Sequence, residues 1–515
     1  MGIRTRVLRA MGFARQQPAP MQASRRPALR MYAGARISRL TSDWFSRWSS
    51  ADAEIKTSLR LLRDRSRQLV RDNPFAKQAK RTTQINVIGQ GVKLQAQVMQ
   101  LRGKKRDDKL NSAIETAWER WCRKDSCDVA GMNSFFMMEL IAAGALPESG
   151  EVIFRLVRRP FGRSKIPLAL ELLESDMLDE NWQGSTLASG NQWRMGVEIN
   201  QWGRPVRYAF HKRHPGDFGF VNPRQDTGER VFMDSKDIIH LFIPERPNQN
   251  RGVPWFAPVM DDLHQLDGYE QAAVVRARAA SSIMGFITSP EGELQGDAVE
   301  GEQRINEFEP GIFRYLSPGE SITVPQLNAP DAQYEMFVRA KARRFASGFG
   351  CSFETISRDF SQTNYSSSRL SLLEDREHWR MVQAYLIENF HQRIYEEWLA
   401  AAVLAGELDL PDYELRPDRY DQPRWQARGW SWVDPLKEVQ AYREAEAAGY
   451  LTKSQIIAQL GGDMEENFQQ IAREQDLAQQ LSLVLDADKK GGAAPTPGSA
   501  DQQPPADQGQ GGAIA

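Results

Sequence analysis

A chain of 515 residues, 41% hydrophobic and 26% charged, has the makeup of a globular protein with room for roughly two to four domains. Its 66 Lys and Arg against 67 Asp and Glu give a net charge of -1, which excludes a protein that grips nucleic acid through its overall charge, because that affinity comes from neutralising many phosphates. Three cysteines, Cys122, Cys127 and Cys351, are too few for a disulfide framework and point to a reducing compartment.

Residues 1–50 are rich in Arg, Pro, Ala and Gln without periodicity, which predicts a flexible basic arm that orders on meeting a partner. An amphipathic organelle presequence is the competing reading of its Arg-rich start. From Ala51 to Ala79, Ile55, Leu59, Leu62, Leu69 and Val70 share a helical face crowded by arginine, and the Asn73-Pro74 step breaks that helix. "NPFAKQAKRTTQINVIGQGVKLQAQV" then moves from a short helix into a β-rich segment through Gly89 and Gly91. Leu110 to Arg123 spaces Ile114, Ala117, Trp118 and Trp121 for burial on a second helix, and Asn133 to Ala145 forms a third. The most apolar window, Met132 to Leu146, is too short for a bilayer and holds Glu139, so it reads as a core helix and no membrane span is expected. Strands follow: "EVIFRLVRR" alternates, "PLALELLES" is a buried candidate, and "GVEINQWGRPVRYAFHK" is a hairpin turning at Gln201-Trp202-Gly203-Arg204. "DIIHLFIPERP", from Asp237 to Pro247, is one more strand of this α/β region, which spans 51–257.

After Pro254 and Pro258, Val259, Leu263, Leu266, Tyr269, Ala273, Ala277, Ala280 and Met284 recur at steps of three and four. This predicts a helix over 258–286, a rod of about 40 Å. Its second half is dominated by Ala and Ser, which offer little apolar area but permit close backbone approach, so side-by-side repetition would suit it. Residues 287–330 form an acidic, turn-rich surface insert with strand candidates at Gly311 to Leu316 and Ser321 to Val324. A helix over 331–350 carries Asp331 and Glu335 early and Arg339, Lys341, Arg343 and Arg344 late, as the helix dipole favours. The insert thus sits between two helices that can run antiparallel. In segment 351–368, Gln362 to Ser368 is small or polar apart from Tyr365, and it leads into a long helix from Ser368 to Leu404. That helix is marked by Leu370, Leu373, Val382, Leu386, Phe390, Ile394, Trp398 and Leu399, with Ser371 and Glu374 as a capping box. Residues 369–433 end in an extended aromatic stretch from Tyr413 to Val433. Helices from Pro435 to Gly449 and from Thr452 to Asp486 fill 434–488, and 489–515 has the composition of a disordered tail.

No Gly-x4-Gly-Lys-Ser/Thr, Gly-x-Ser-x-Gly or His-Glu-x-x-His spacing occurs, which removes P-loop ATP hydrolysis, the nucleophile elbow and the zincin site. Cys122 and Cys127 could hold zinc, but with no second pair or nearby histidine they also read as buried thiols beside Trp118 and Trp121. His211 and His214 close a strand whose alternation puts them on opposite faces. Glu374, Asp375, Glu377 and His378 could form a nuclease cluster binding Mg²⁺, against a solvated helical face whose members point apart. Arg339 to Arg344 with Arg358 could contact phosphate or pair with carboxylates of a neighbouring subunit, and both readings stay open. Gln362 to Ser368 has hydroxyls and amides without an adjacent base, so it suits a neutral hydrogen-bonding surface better than a nucleophile.

The order of parts, with "RGVPWFAPVM" leading into an Ala-rich helix and a return helix ending in "ASGFGCSFETISRDFSQTNYSSSR" before "EDREHW", resembles the lambda-type family of bacteriophage portal proteins. The likeness runs from Leu69 to Leu404 and is most specific at Arg251 to Trp255, Tyr269 to Ala280 and Phe345 to Arg369. It implies an α+β fold with a mixed α/β wing, an antiparallel helical stem, a small β-containing clip and a helical crown, repeated in a ring of roughly twelve subunits around a DNA channel at one capsid vertex. Ala273, Ala277, Ala280, Arg339, Lys341, Arg343 and Arg344 then belong to the stem. Glu300, Glu302, Glu307 and Arg314 belong to the clip, which docks terminase during packaging and head-tail connector proteins afterwards. The segment from Ser357 to Ser368 becomes a loop lining the narrowest part of the channel, with Arg358, Gln362, Thr363, Asn364, Tyr365, Ser366 and Ser367 beside double-stranded DNA. The crown faces the capsid interior, and major capsid and scaffold proteins are further partners. The resemblance implies no catalytic residue, cofactor or metal, with the work supplied by the terminase ATPase, and a place in the virion after assembly in host cytoplasm. Two rivals from other classes are a phage-associated Mg-dependent DNA-processing enzyme and a monomeric host-derived adaptor for peptides or nucleic acid.

Overall fold

The computed structural model describes residues 39, 48–100, 106–185, 189–217, 229–281, 286–288, 321–323, 333–430 and 435–481. The chain divides into two units, 1–50 and 51–515, and the elements below belong to the second. Glu300, Glu302, Glu307, Arg314, the strand candidate Gly311 to Leu316, Met284, most of the basic arm and the tail 489–515 lie outside the described residues.

In chain order the first half contains α1 (Ala51–Lys56), α2 (Leu59–Asp72), α3 (Pro74–Val87), β1 (Lys93–Gln95), α4 (Asp108–Trp121), α5 (Phe135–Ser149), β2 (Val152–Val157), β3 (Ala169–Leu173), β4 (Gly184–Ser185), β5 (Gln192–Arg194), β6 (Val197–Ile199), β7 (Pro205–His211), β8 (Arg230–Asp234) and β9 (Ile238–Leu241). There follow α6 (Met260–Ser281), β10 (Phe286–Thr288), β11 (Ser321–Thr323), α7 (Tyr334–Phe349), α8 (Phe353–Ser357) and α9 (Tyr365–Leu386). A π-helical turn (Ile387–Gln392) joins α9 to α10 (Arg393–Leu404), and β12 (Arg424–Gln426), α11 (Pro435–Ala447), α12 (Lys453–Gln459) and α13 (Met464–Gln480) complete the order.

The Asn73-Pro74 break falls where the sequence puts it. The Asn73 side chain accepts the Ala76 N–H at 3.1 Å, and Pro74 takes the first helical position, where its missing N–H costs nothing. The face that α2 buries is more polar than expected: Leu59, Arg63, Ser66 and Val70 are all buried. Two antiparallel sheets follow, one ordered β3-β2-β9 and one a meander β4-β5-β6-β7-β8. The expected hairpin is β6-β7, with Gly203 at φ 78° in its turn and Asn200 Oδ1 accepting from Trp202 and Arg204 N–H. Ile153 on one sheet and Val197, Tyr208 and Phe210 on the other share a small core. The main core gathers α4, α5, β2 and α10: Trp118 meets Trp398 edge-on at 5.0 Å and Phe135 stacks on Phe390 at 5.6 Å.

Four expectations are corrected. The long helix begins at Tyr365, capped by Asn364, whose side chain accepts the Ser367 N–H at 2.8 Å; Ser371 and Glu374 lie inside it and form no capping box. Its Val382, Leu386, Phe390, Ile394, Trp398 and Leu399 are buried, but Leu370 and Leu373 stay exposed. The Ala-rich helix ends its described course at Ser281, and Phe286 sits in β10, paired with Thr323 of β11. The helix expected from Thr452 to Asp486 is two, because Gly461 takes φ 81° and Asp463 restarts the chain by accepting the Glu465 and Glu466 N–H groups.

Candidate channel segment and its supports

The segment from Ser357 to Ser368 is held by a pair of helices, and those helices start from a buried charge cluster. Arg251 is fully buried, with Nε 3.0 Å from both oxygens of Glu151 and Nη1 donating to the Met195 carbonyl at 2.8 Å. Arg63 and His240 reach the same carboxylate at 3.4 and 3.0 Å. Burial alone would raise the Glu151 carboxyl; Arg251 and His240 outweigh it and hold it well below the usual carboxylate range. Gly252 donates to Glu151 Oε2 at 2.8 Å, and a Cβ there would stand 2.1 Å from the Gly150 carbonyl oxygen. The "RGVPW" stretch is therefore a buried guanidinium followed by a residue that must lack a side chain. Trp255 N–H then bonds the Pro147 carbonyl, and Phe256 stacks on Phe349 at 5.1 Å, seating the base of α6 against α7.

The two helices run antiparallel as expected. Asp262 meets Lys341 at 2.8 Å and Arg344 at 2.7 Å, while farther along α6 Tyr269 meets Phe337 at 4.6 Å and stacks on Tyr334 at 5.9 Å. Met260, Leu263 and Leu266 are buried. Beyond them the helix loses its cover: Ala273 is half-buried, Ala277 exposed, and Val274 and Val275 are 49% and 63% exposed. Ala280 lies in the last described turn of α6.

The basic residues of α7 find a third answer to the question of their partners, in carboxylates of their own chain. Lys341 and Arg344 clasp Asp262, Arg339 reaches Asp359 at 2.7 Å and Glu335 at 3.3 Å, and Arg343 lies 5.6 Å over the Phe353 ring. Asp359 is thus the residue that sequence reasoning missed. It accepts from Ser361 N–H and Oγ at 3.0 and 2.6 Å, and these bonds, with Arg339, lower its carboxyl. The Asp-x-Ser spacing at 359–361 is the signal of such a side-chain turn.

Arg358 takes φ 56°, closing α8 by donating its N–H to Glu354. Its side chain is exposed, and with the Gln78 amide turned so that the oxygen faces it, Nε and Nη2 donate at 3.1 and 3.2 Å. Gln362 is exposed, Thr363 half-buried with its hydroxyl on the Phe360 carbonyl, and Asn364 is the helix cap. Tyr365, Ser366 and Ser367 are the first turn of α9, with Ser366 and Ser367 exposed. The stretch that reads as one loop is therefore a short turn and a helix start, and its described surface is hydroxyl and amide with its charges paired or drawn back.

The nuclease cluster does not assemble. Asp375 is buried, accepting from Ser352 N–H at 2.8 Å, Ser352 Oγ at 2.7 Å and Thr355 Oγ1 at 2.6 Å; Glu377 pairs with Arg380; Glu374 is exposed. His378 packs beside Trp255 and Trp379, where burial lowers its pKa against the pull of Asp375. The cysteine pair fares no better as a metal site: Cys127 is buried and burial pushes its thiol up to about 12, far from the thiolate that zinc needs. His214 lies 3.1 Å from Glu174, and among the described residues Glu174, Asp176 and His214 form a group of metal-ligand type; Asp176 is already held by Arg63 and Arg67.

Residues 38–383 match the family described as phage portal protein, lambda family. The probable portal protein of Halomonas phage phiHAP-1 is 30% identical over 486 residues, covering 92% of both chains. Portal protein B of Escherichia phage lambda is 23% identical over 468 residues, which cover 84% of this chain and 86% of that one. A solved chain from the neck of an empty GTA particle computed with C6 symmetry covers 82% of this chain and 97% of its own, at 16% identity and a TM-score of 0.42. A family pattern across most of the length, with a relative aligned across nearly all of it, makes this chain a member of the lambda family of phage portal proteins.

Proposed function

We propose that this protein forms a closed ring of roughly twelve copies around a channel for double-stranded DNA at one capsid vertex. In this reading α6 and α7 stand side by side as the stem, and segment 357–368 faces the channel. The insert 287–330 docks terminase during packaging and connector proteins afterwards. The helices after Pro435 face the capsid interior, toward shell and scaffold, and the protein acts as a conduit and platform without catalysis of its own. The observation that carries the reading is the half-covered α6: its start is buried against α7 while Val274, Val275 and Ala277 are exposed. A small-residue face left open on one subunit is suited to close approach by the next. The channel lining supports it too, since Arg339 and Arg358 are engaged within the chain and hydroxyls and amides remain to touch passing phosphates weakly.

Mass measurement and electron-microscope class averages of the purified full-length protein, alone and with scaffold and shell proteins, test this. A closed annulus with a central hole is expected. Protein that stays single under every assembly condition refutes the ring, and metal-dependent DNA cleavage by pure protein refutes the non-catalytic reading.

A further inference from the structure

The β1-β12 pair forms one wall of a cleft of about 480 Å³; α4 and the start of α13 form the others. The cleft is acidic, and part of that charge is already answered: Glu465 pairs with Arg106, and Glu466 lies 3.5 Å from Lys93. Glu115 accepts only the Ala96 N–H, at 2.8 Å, and Glu119 is exposed; among the described residues neither has an ion-pair partner. Asp463 adds a third carboxylate, bonded to the Gln426 amide nitrogen at 2.6 Å.

A second observation is independent of charge. The Oε1 atoms of Gln95 and Gln426, on residues only 7% and 8% exposed that line this cleft, have no hydrogen-bond donor. The Gln426 orientation is fixed by its nitrogen on Asp463, so its oxygen is left as an open acceptor. Buried acceptors in native proteins normally have partners, and the missing partner here must donate N–H or O–H while offsetting negative charge.

A single metal ion does not suit the geometry. Among the described residues, the group that brings three ligand atoms within 4.8 Å of one another is Glu174, Asp176 and His214, away from this cleft. The carboxylates here are strung along it instead. Leu94, half-buried, and Phe136, 37% exposed, give apolar surface between them. Spaced charges with apolar stretches between match a chain of ammonium groups joined by methylenes.

We propose that this cleft binds an elongated aliphatic polyamine, its ammonium groups shared among Glu115, Glu119 and the open oxygens of Gln95 and Gln426. The ligand would bridge the β1-β12 pair to α13 and so fasten the C-terminal helices to the body of the subunit. Glu115 already shows the strain of an empty cationic position: burial, with repulsion from Asp463, Glu465 and Glu119, raises its carboxyl to about 6. The proposal is independent of the ring and channel reading.

Isothermal titration calorimetry of DNA-free full-length protein with spermidine tests it. Saturable binding of one spermidine per subunit is expected, weakened about tenfold or more in Glu115→Gln/Glu119→Gln and about threefold in Glu119→Gln alone, as loss of charged hydrogen-bond partners implies. Glu174→Gln, elsewhere on the surface, should bind as the parent does, and magnesium at matched ionic strength should not displace the ligand. Absence of saturable binding, parental affinity in the variants, or displacement by magnesium at equal charge overturns the proposal. Circular dichroism checks that each variant is folded; should the double variant fail, the exposed Glu119→Gln decides.

Discussion

At the scale of single residues, the heaviest electrostatic demand falls on Glu151, buried with Arg251, Arg63 and His240 around it. Removing one partner of a buried pair costs more than the pair contributes, because the remaining charge keeps its desolvation penalty. Arg251→Met should therefore destabilise by about 3 kcal/mol in urea unfolding, and a loss below about 1 kcal/mol would show that Arg63 and His240 suffice. The pH dependence follows from the same group. Its folded pKa lies below the reference of 4.5, so its contribution is present above pH 4.5 and is lost as pH falls below it; in Arg251→Met the acid loss should begin at higher pH. Glu115 has the opposite sign. Its carboxyl is raised to about 6 from 4.5, so its charged form penalises folding above pH 6 and the penalty is gone below pH 4.5. Glu115→Gln should gain about 1 kcal/mol at neutral pH, discounted for partial exposure, and the gain should vanish at the acid end of that window, read as a difference in Tm between variant and parent. The motif around Arg251 is legible in the sequence, but its reason is not. An arginine is normally a surface residue, and only the fold reveals the carboxylate, roughly a hundred positions earlier in the chain, that lets it be buried.

At the scale of elements, helices with a strong apolar period are legible and their ends are less so. Trp118 and Trp121 mark α4 correctly, and the β6-β7 hairpin announces its turn through Asn200 and Gly203. β1 and β12 are three residues each and pair across more than 300 positions, so neither has a local signal. The π-helical turn is invisible for a different reason: the apolar period continues through it, and what it accomplishes is spatial, bringing His391 to 2.6 Å from Glu139 while its other nitrogen lies 3.0 Å from the Leu386 carbonyl. The start of α9 was misread because serine and glutamate three apart satisfy the capping-box pattern at Ser371 and Glu374, whereas Asn364 provides the cap by geometry. The two positions separate cleanly. Asn364→Ala should cost about 1 kcal/mol and speed exchange of the Ser367 amide, while Ser371→Ala should stay within about 0.5 kcal/mol of the parent. Equal effects at both sites would place the helix start later than Tyr365.

At the scale of the whole molecule, the open second half of α6 and the paired charges of segment 357–368 answer to the assembly, not to the subunit. Neither could be read from composition: the balance of 66 basic and 67 acidic residues says nothing of which charges are spent internally. Because Ala277 is exposed in the subunit, Ala277→Glu should leave monomer stability within about 0.5 kcal/mol yet abolish the annulus in class averages, since the new carboxylates would be forced into a close helix contact. The charge bookkeeping of the channel leads to a second consequence. Asp359 holds Arg339 at 2.7 Å and also caps Ser361. Asp359→Asn keeps an oxygen for the turn but removes the charge that draws Arg339 away from the lumen, and the ring repeats that change in every copy. A proposed channel must let phosphates pass, and each newly neutralised phosphate steepens the salt dependence of DNA binding by about 0.9 in log-log slope. Assembled Asp359→Asn rings should therefore bind short duplexes more tightly at low salt, with a steeper slope between about 50 and 200 mM in filter binding, and should slow DNA passage in packaging assays. A slope equal to that of the parent would mean that Arg339 does not face the DNA path.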